Sequence, residues 1–249
     1  MLTTLLDGTA FAERFGSGQP AVVALHGWAR NRSDWTATLE GYDALALDLP
    51  GFGATPAPEE AWGSEEYAAW AARIIQELDR PVVVGHSFGG RVAVQLAARY
   101  ADLLSGVVLT GVPLYKVPST GKPSLTYRLG RALHAKGLIP EARMEALRQR
   151  YGSEDYRNAR GVMRDVLVRL VNEDYTAEIA AIAPTDLPVR MVWGEHDTAA
   201  PTWMPEQALA TLNAAADHAA LEVVGGSAHL LDAGLVTALR SAIDELKAA

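Results

Sequence analysis

The chain has 249 residues, 49% of them hydrophobic, which is enough to bury a sizeable core, and α/β chains of this length commonly form one compact unit. It contains no cysteine, which excludes disulfides, thiolate metal sites and a cysteine nucleophile, so covalent chemistry must use oxygen or nitrogen. A net charge of −8 argues against nucleic acid as a partner, because phosphates would be repelled rather than steered in.

In chain order, the first residues, Met1 to Gly8, lack a basic region followed by a long apolar run, and no uncharged stretch approaches the roughly 18 residues of a membrane span. A cytoplasmic protein with no membrane partner is expected. Residues 2–6 and 9–15 flank Asp7-Gly8, a dipeptide suited to a tight turn, and read as a hairpin. Repeated β/α alternation follows. Short apolar runs at 21–25, 44–47, 82–84, 107–109, 189–193 and 221–224 read as strands buried on both faces. Helical character recurs between them, at 67–78, 91–100, 205–215 and 230–247. The fold class is therefore α/β, with a mostly parallel, doubly wound sheet.

The alternation breaks once. Between Val112 and Pro188 no convincing strand occurs, and helical stretches are expected at about 124–136, 141–151 and 155–171. This divides the chain into a core, 1–111 and 189–249, and an inserted helical cap, 112–188, placed over the carboxyl edge of the sheet where open α/β sheets bind ligands. The cap carries 12 Lys and Arg against 9 Asp and Glu, a balance of +3, while the remainder stands at −11. Arg157, Arg160 and Arg164 are spaced to share one face of a helix, which suggests a substrate with an anionic handle or one borne on an acidic carrier protein. A solvated helix face would explain the same spacing.

The segment richest in chemical meaning is Gly85-His86-Ser87-Phe88-Gly89, directly after one strand and before a helix. A nucleophile elbow forces its serine into a strained turn, and small residues two positions either side let strand and helix approach. A serine hydroxyl needs a base to take its proton and a carboxylate to fix that base's tautomer. Of the histidines downstream, His134, His196, His218 and His229, the last lies on a small-residue loop after the final strand, where an imidazole can reach the sheet edge. His134 falls in a helical run and His218 on a loop, and His196 should point away from its acidic neighbour. For the acid, Asp197 follows the strand 189–193, with Glu195 its close rival and Asp48 and Asp232 weaker candidates; Asp197 could equally cap the turn before Pro201. Two N–H groups must face the developing oxyanion. Phe88, next after the serine, and Trp28, in Leu25-His26-Gly27-Trp28, are placed to supply them, with their rings walling a substrate pocket or filling core. His26 reads as a structural tie. No metal or cofactor is expected, since the histidines lack ligand spacing and no loop matches a dinucleotide or phosphate-binding pattern.

Taken together, His26-Gly27-Trp28, Leu47-Asp48-Leu49-Pro50-Gly51-Phe52-Gly53, Gly85-His86-Ser87-Phe88-Gly89-Gly90, Trp193-Gly194-Glu195-His196-Asp197 and Ala228-His229 resemble the α/β-hydrolase superfamily. The first two are similar to carboxylesterases of the pimeloyl-carrier-protein methyl ester esterase kind. The resemblance implies an α/β-hydrolase fold with an inserted cap, Ser87 as nucleophile, Asp197 as acid, His229 as base, and Trp28 and Phe88 as oxyanion donors. The activity expected is hydrolysis of a carboxylic ester on a small acyl substrate. Hydrolysis of a C–C bond in a dienoate, with the same triad, and a ligand receptor on the same fold are the alternatives. Haloalkane dehalogenases and epoxide hydrolases need an aspartate where this chain has Ser87.

Overall fold

The computed structural model describes residues 1–116, 129, 132–134, 136–151, 154–214 and 217–248. Leu6, Asp7 and Gly8 all take positive φ and turn the chain between β1 (Leu2–Leu5) and β2 (Ala10–Phe15), which pair antiparallel as the hairpin pattern requires. Six more strands follow: β3 (Val22–Leu25), β4 (Ala44–Asp48), β5 (Val82–His86), β6 (Gly106–Thr110), β7 (Val189–Gly194) and β8 (Ala219–Val224). They form one sheet in the order β1-β2-β4-β3-β5-β6-β7-β8. Only the β1–β2 and β2–β4 pairs are antiparallel.

From β3 the chain steps to β4 on one side, then crosses back to place β5 on the other. The carboxyl ends of β3 and β5 therefore flank a topological switch point, where open sheets leave a crevice. Helices cover both faces. Val23, Leu25, Val83, Val107 and Met191 pack under α1 (Ser64–Ile75) and α2 (Phe88–Arg99), while Val22, Ala24, Val82, Val84 and Val108 meet the last helix and Trp35 on the opposite face. Because both faces are covered, β3, β5 and β6 read as continuous apolar runs instead of alternating.

The strand at 221–224 departs from that reading. β8 has only β7 beside it, alternates between partly buried and exposed positions, and leaves Val223 42% exposed. Its apolar residues sit on an edge strand and are not enclosed on two faces.

In the segment between β6 and β7, the stretch expected as a helix at 124–136 lies largely outside the described residues. The second stretch is α3 (Glu141–Tyr151). The third is not one helix: α4 (Glu154–Asn158) stops, Ala159 and Arg160 are non-helical, and α5 (Val162–Leu170) starts after Gly161, whose φ of +53° no right-handed helix accommodates. Arg157, Arg160 and Arg164 thus lie on three separate pieces of chain and form no shared face. Arg164 is also engaged, by Glu145 and over the ring of Tyr156. A further helix, α6 (Thr176–Ile182), buries Ile179 and Ile182 in the same core cluster as Val92 and Leu96 of α2. Two further helices are α7 (Trp203–Leu212) and α8 (Ala233–Ala248). Among the described residues no helix is long and apolar enough to cross a membrane.

Candidate active site

β5 ends at His86 and α2 begins at Phe88, so Ser87 alone makes the turn between them. Its φ of +50° and ψ of −108° lie in a region that side-chain-bearing residues rarely occupy, a strain of about 1–3 kcal/mol that the surroundings must impose. Two bonds help to do so: the Ser87 amide donates to the Thr110 carbonyl of β6 at 2.9 Å, and the Gly89 amide donates to the His26 carbonyl at the end of β3, also at 2.9 Å. The close approach explains the two glycines. A Cβ on Gly85 would stand 2.6 Å from the Gly89 carbonyl oxygen, and one on Gly89 would collide with the backbone of Leu25.

The structure brings Ser87, His229 and Asp197 together. His229 Nε2 lies 3.1 Å from Ser87 Oγ, and His229 Nδ1 lies 2.8 Å from Asp197 Oδ2. A carboxylate only accepts, so Nδ1 carries the proton and Nε2 is free to accept from the serine hydroxyl. Asp197 is buried, and its other oxygen, Oδ1, accepts from the amides of Ala199 (2.9 Å) and Ala200 (2.8 Å). The turn-capping and histidine-holding readings of Asp197 are therefore both realised, on different oxygens. Glu195 instead receives the Gly226 amide at 3.0 Å and steadies the histidine loop. Asp48 is fully buried against Arg32 and the Ala54 amide, and Asp232 caps the start of α8 through the Leu235 amide while holding the Ser227 hydroxyl. His196 is exposed beside Glu195, and His134 pairs with Glu141 at 2.8 Å.

Phe88 occupies the first position of α2, where an amide has no acceptor within the helix. The amide of Trp28 belongs to the same peptide unit as the Gly27 carbonyl, and that unit is fixed by His26. The Leu49 amide donates to His26 Nε2 at 3.0 Å, so the ring proton sits on Nδ1, which donates to Gly27 O at 2.7 Å. Burial holds the His26 ring neutral, with its pKa below the usual range. Because carbonyl and N–H point opposite ways across a planar peptide, holding the Gly27 oxygen also aims the Trp28 N–H.

The rings sort differently. Phe88 is buried between Tyr67 (4.9 Å between centroids), Trp28 (5.7 Å) and Phe52 (5.8 Å), whereas Trp28 is half-buried. Trp28 also lines a cavity of about 360 Å³ with Phe52, Met163, Ala159 and Arg160, where loops after β3 and β4 meet the helices of the middle segment.

Two further residues carry no motif of their own. Gly111, directly after β6, has φ +58°, and a Cβ there would lie 3.1 Å from Asp197 Oδ2 and 3.2 Å from His229 Nδ1. His86 is buried, and its Nε2 lies 2.9 Å from the His229 carbonyl oxygen. The sequence signal for Gly111 was its place at the end of a strand, and for His86 its place in the elbow. Among the described residues no cluster of His, Asp and Glu is placed to hold a metal ion.

The fold and this arrangement define an α/β hydrolase, and the family profile of that name matches residues 22–237, so the chain belongs to the α/β hydrolase family. Among its relatives is an esterase of Mycobacterium tuberculosis, 36% identical over 110 residues that cover 42% of this chain and 37% of that protein. A pimeloyl-[acyl-carrier protein] methyl ester esterase of Shewanella woodyi is 36% identical over 107 residues, 41% of this chain and 40% of its own. These alignments span less than half of each relative. The solved monoacylglycerol lipase of Paleococcus ferrophilus superposes with a TM-score of 0.67 at 20% identity, covering 96% of this chain and 98% of that one, which shows the shared fold.

Proposed function

We propose that the protein hydrolyses a carboxylic ester through an acyl-enzyme on Ser87. The observation that carries this is the continuous hydrogen-bonded line from Ser87 Oγ to His229 Nε2 (3.1 Å) and from His229 Nδ1 to Asp197 Oδ2 (2.8 Å). In this reading Ser87 Oγ attacks the acyl carbon while His229 Nε2 takes its proton. The tetrahedral oxyanion then lies between the amides of Trp28 and Phe88, and the N-terminus of α2 adds its positive end. His229 returns the proton to the leaving alcohol as the C–O bond breaks. Water, deprotonated by the same nitrogen, attacks the acyl carbon; the bond to Ser87 Oγ breaks, His229 returns the proton to that oxygen, and the acid is released. Asp197 holds the ring in the tautomer this needs and steadies the imidazolium.

Residues 1–111 and 189–249 are the core that carries this relay, and 112–188 act as the cap that shapes what reaches it. The cavity shared by Trp28, Phe52, Met163 and Arg160 supports that division. The substrate is a small-molecule ester, and the match to the Shewanella woodyi protein motivates testing carrier-bound acyl esters beside free ones.

The test is a fluorophosphonate probe together with a panel of neutral, anionic and carrier-bound esters and a vinylogous diketone. Stoichiometric labelling at Ser87, ester turnover, and a loss of at least about 10⁴-fold in kcat for Ser87→Ala are expected. Unchanged ester turnover in Ser87→Ala, or turnover of the diketone alone, would overturn the reading.

A further inference from the structure

The proposed mechanism uses His229 but not the second imidazole beside it. We infer that His86 is a positioning residue, whose Nε2–H holds the backbone carbonyl of His229 and so sets the distance from the base to Ser87. This rests on the acyl-enzyme reading above.

The geometry is direct. A carbonyl oxygen can only accept, so the 2.9 Å contact from His86 Nε2 to His229 O requires the proton on Nε2. The opposite nitrogen, Nδ1, is then bare. It is buried, has no hydrogen-bond partner, and faces the backbone at Gly27, where a Cβ would stand 3.0 Å away. A second proton on Nδ1 would point at that backbone with nothing to receive it, and would place a cation in a buried site 5.1 Å from the His229 ring. Burial and then the neighbouring His229 ring hold His86 down at about 4, against weaker opposing pulls from the hydrogen bond to the His229 backbone and then from Asp34 and Asp197. One tautomer of one charge state is therefore locked in: a donor to His229 O and nothing else.

The base needs such a hold. It ends the run Gly225-Gly226-Ser227-Ala228, small residues of which Ser227 is buried and the others are exposed, with Gly226 at φ +76°. Other backbone and side-chain anchors of this loop act on earlier residues: Glu195 on the Gly226 amide, the His196 amide on the Ser227 carbonyl, and Asp232 on the Ser227 hydroxyl. Among the described residues only His86 grips the carbonyl of His229 itself, and His86 belongs to the elbow. Base and nucleophile are thus tied across a single residue, because the side chain that holds His229 is covalently next to Ser87. Displacing a positioned group by about 1 Å can cost of order 10²-fold in rate.

Three variants test this: His86→Leu and His86→Met remove the donor and keep bulk, while His86→Gln returns an N–H at a similar reach. On a short aryl ester, the Leu and Met variants should lose about 10²-fold in kcat with KM within about twofold, and Gln should regain at least about tenfold of that loss. Fluorophosphonate labelling of Ser87 should slow and recover in the same order, with thermal midpoints showing which variants are folded. Met stands in if the Leu variant does not fold. If kcat is unchanged in a folded donor-less variant, or if Gln is as impaired as Leu and Met, the positioning role is overturned while the acyl-enzyme reading stands. If the wild-type protein is not labelled at Ser87, that reading falls and this one with it.

Discussion

At the residue scale, the site depends on atoms that are absent as much as on those present. Gly111 leaves room for the contact between His229 and Asp197, and it does so with a left-handed backbone that a side chain would strain. Gly111→Ala should lower kcat by about 10–10²-fold while leaving KM near its wild-type value, since the intruding methyl group shifts the base and not the substrate. Steady-state kinetics on a short aryl ester would check it. His26 acts through the Gly27 carbonyl. Replacing it by Leu leaves that carbonyl with only the longer 3.3 Å bond from the Arg30 amide among the described residues and loosens the Trp28 amide from its proposed place at the oxyanion, so kcat should fall by roughly 10²-fold, the cost of one lost oxyanion donor. A His26→Leu protein with full kcat would dissociate Trp28 from that role.

At the scale of elements, most of the sheet was legible because each central strand combines a continuous apolar run with a flanking helix of clear character. The same logic misjudged β8. Leu221, Val223 and Val224 are as apolar as a central strand, and nothing in those residues marks that the sheet ends there. The catalytic candidates were legible for a related reason: each follows a strand that was itself easy to see. Spacing alone left Glu195 a close rival of Asp197, and the fold turns one carboxylate toward His229 and the other toward Gly226. The middle segment was hardest. Its described helices are mostly short, Gly161 breaks what spacing alone presents as continuous, and the apolar residues of α3 are not gathered on one side of the helix, which leaves its buried face unmarked. α6 carries a quantitative expectation. Ile179 is 2% exposed in the main core cluster with α2, so Ile179→Ala should cost about 2–5 kcal/mol in urea-induced unfolding, a core cost and not that of a loosely attached flap.

For the whole molecule, the two buried histidines set a direction for acid sensitivity. Both are held neutral in the folded protein, His86 down at about 4, while in the unfolded chain each titrates near the ordinary 6.5. Below pH 6.5 the unfolded chain takes up protons that the folded one refuses, so stability falls with pH. His86's share of the loss continues until about pH 4, where it amounts to roughly 3 kcal/mol. Urea midpoints compared at pH 7 and pH 4.5 should therefore drop, and His86→Gln should flatten the drop by about 2–3 kcal/mol. The strand order has a last consequence. Trp28, Ser87, Gly111, Asp197 and His229 follow β3, β5, β6, β7 and β8, which are consecutive neighbours in the sheet, so the site is assembled sideways, one strand at a time. The long excursion between β6 and β7 interrupts the chain but not this lateral row, because the two strands remain paired. Each doubling of such an excursion costs only about 0.6 kcal/mol in closure entropy. The excursion can thus change length at little cost in its interior, while Val112, Leu114, Val166 and Leu170, buried in the main core cluster with α2, hold its two ends against the row.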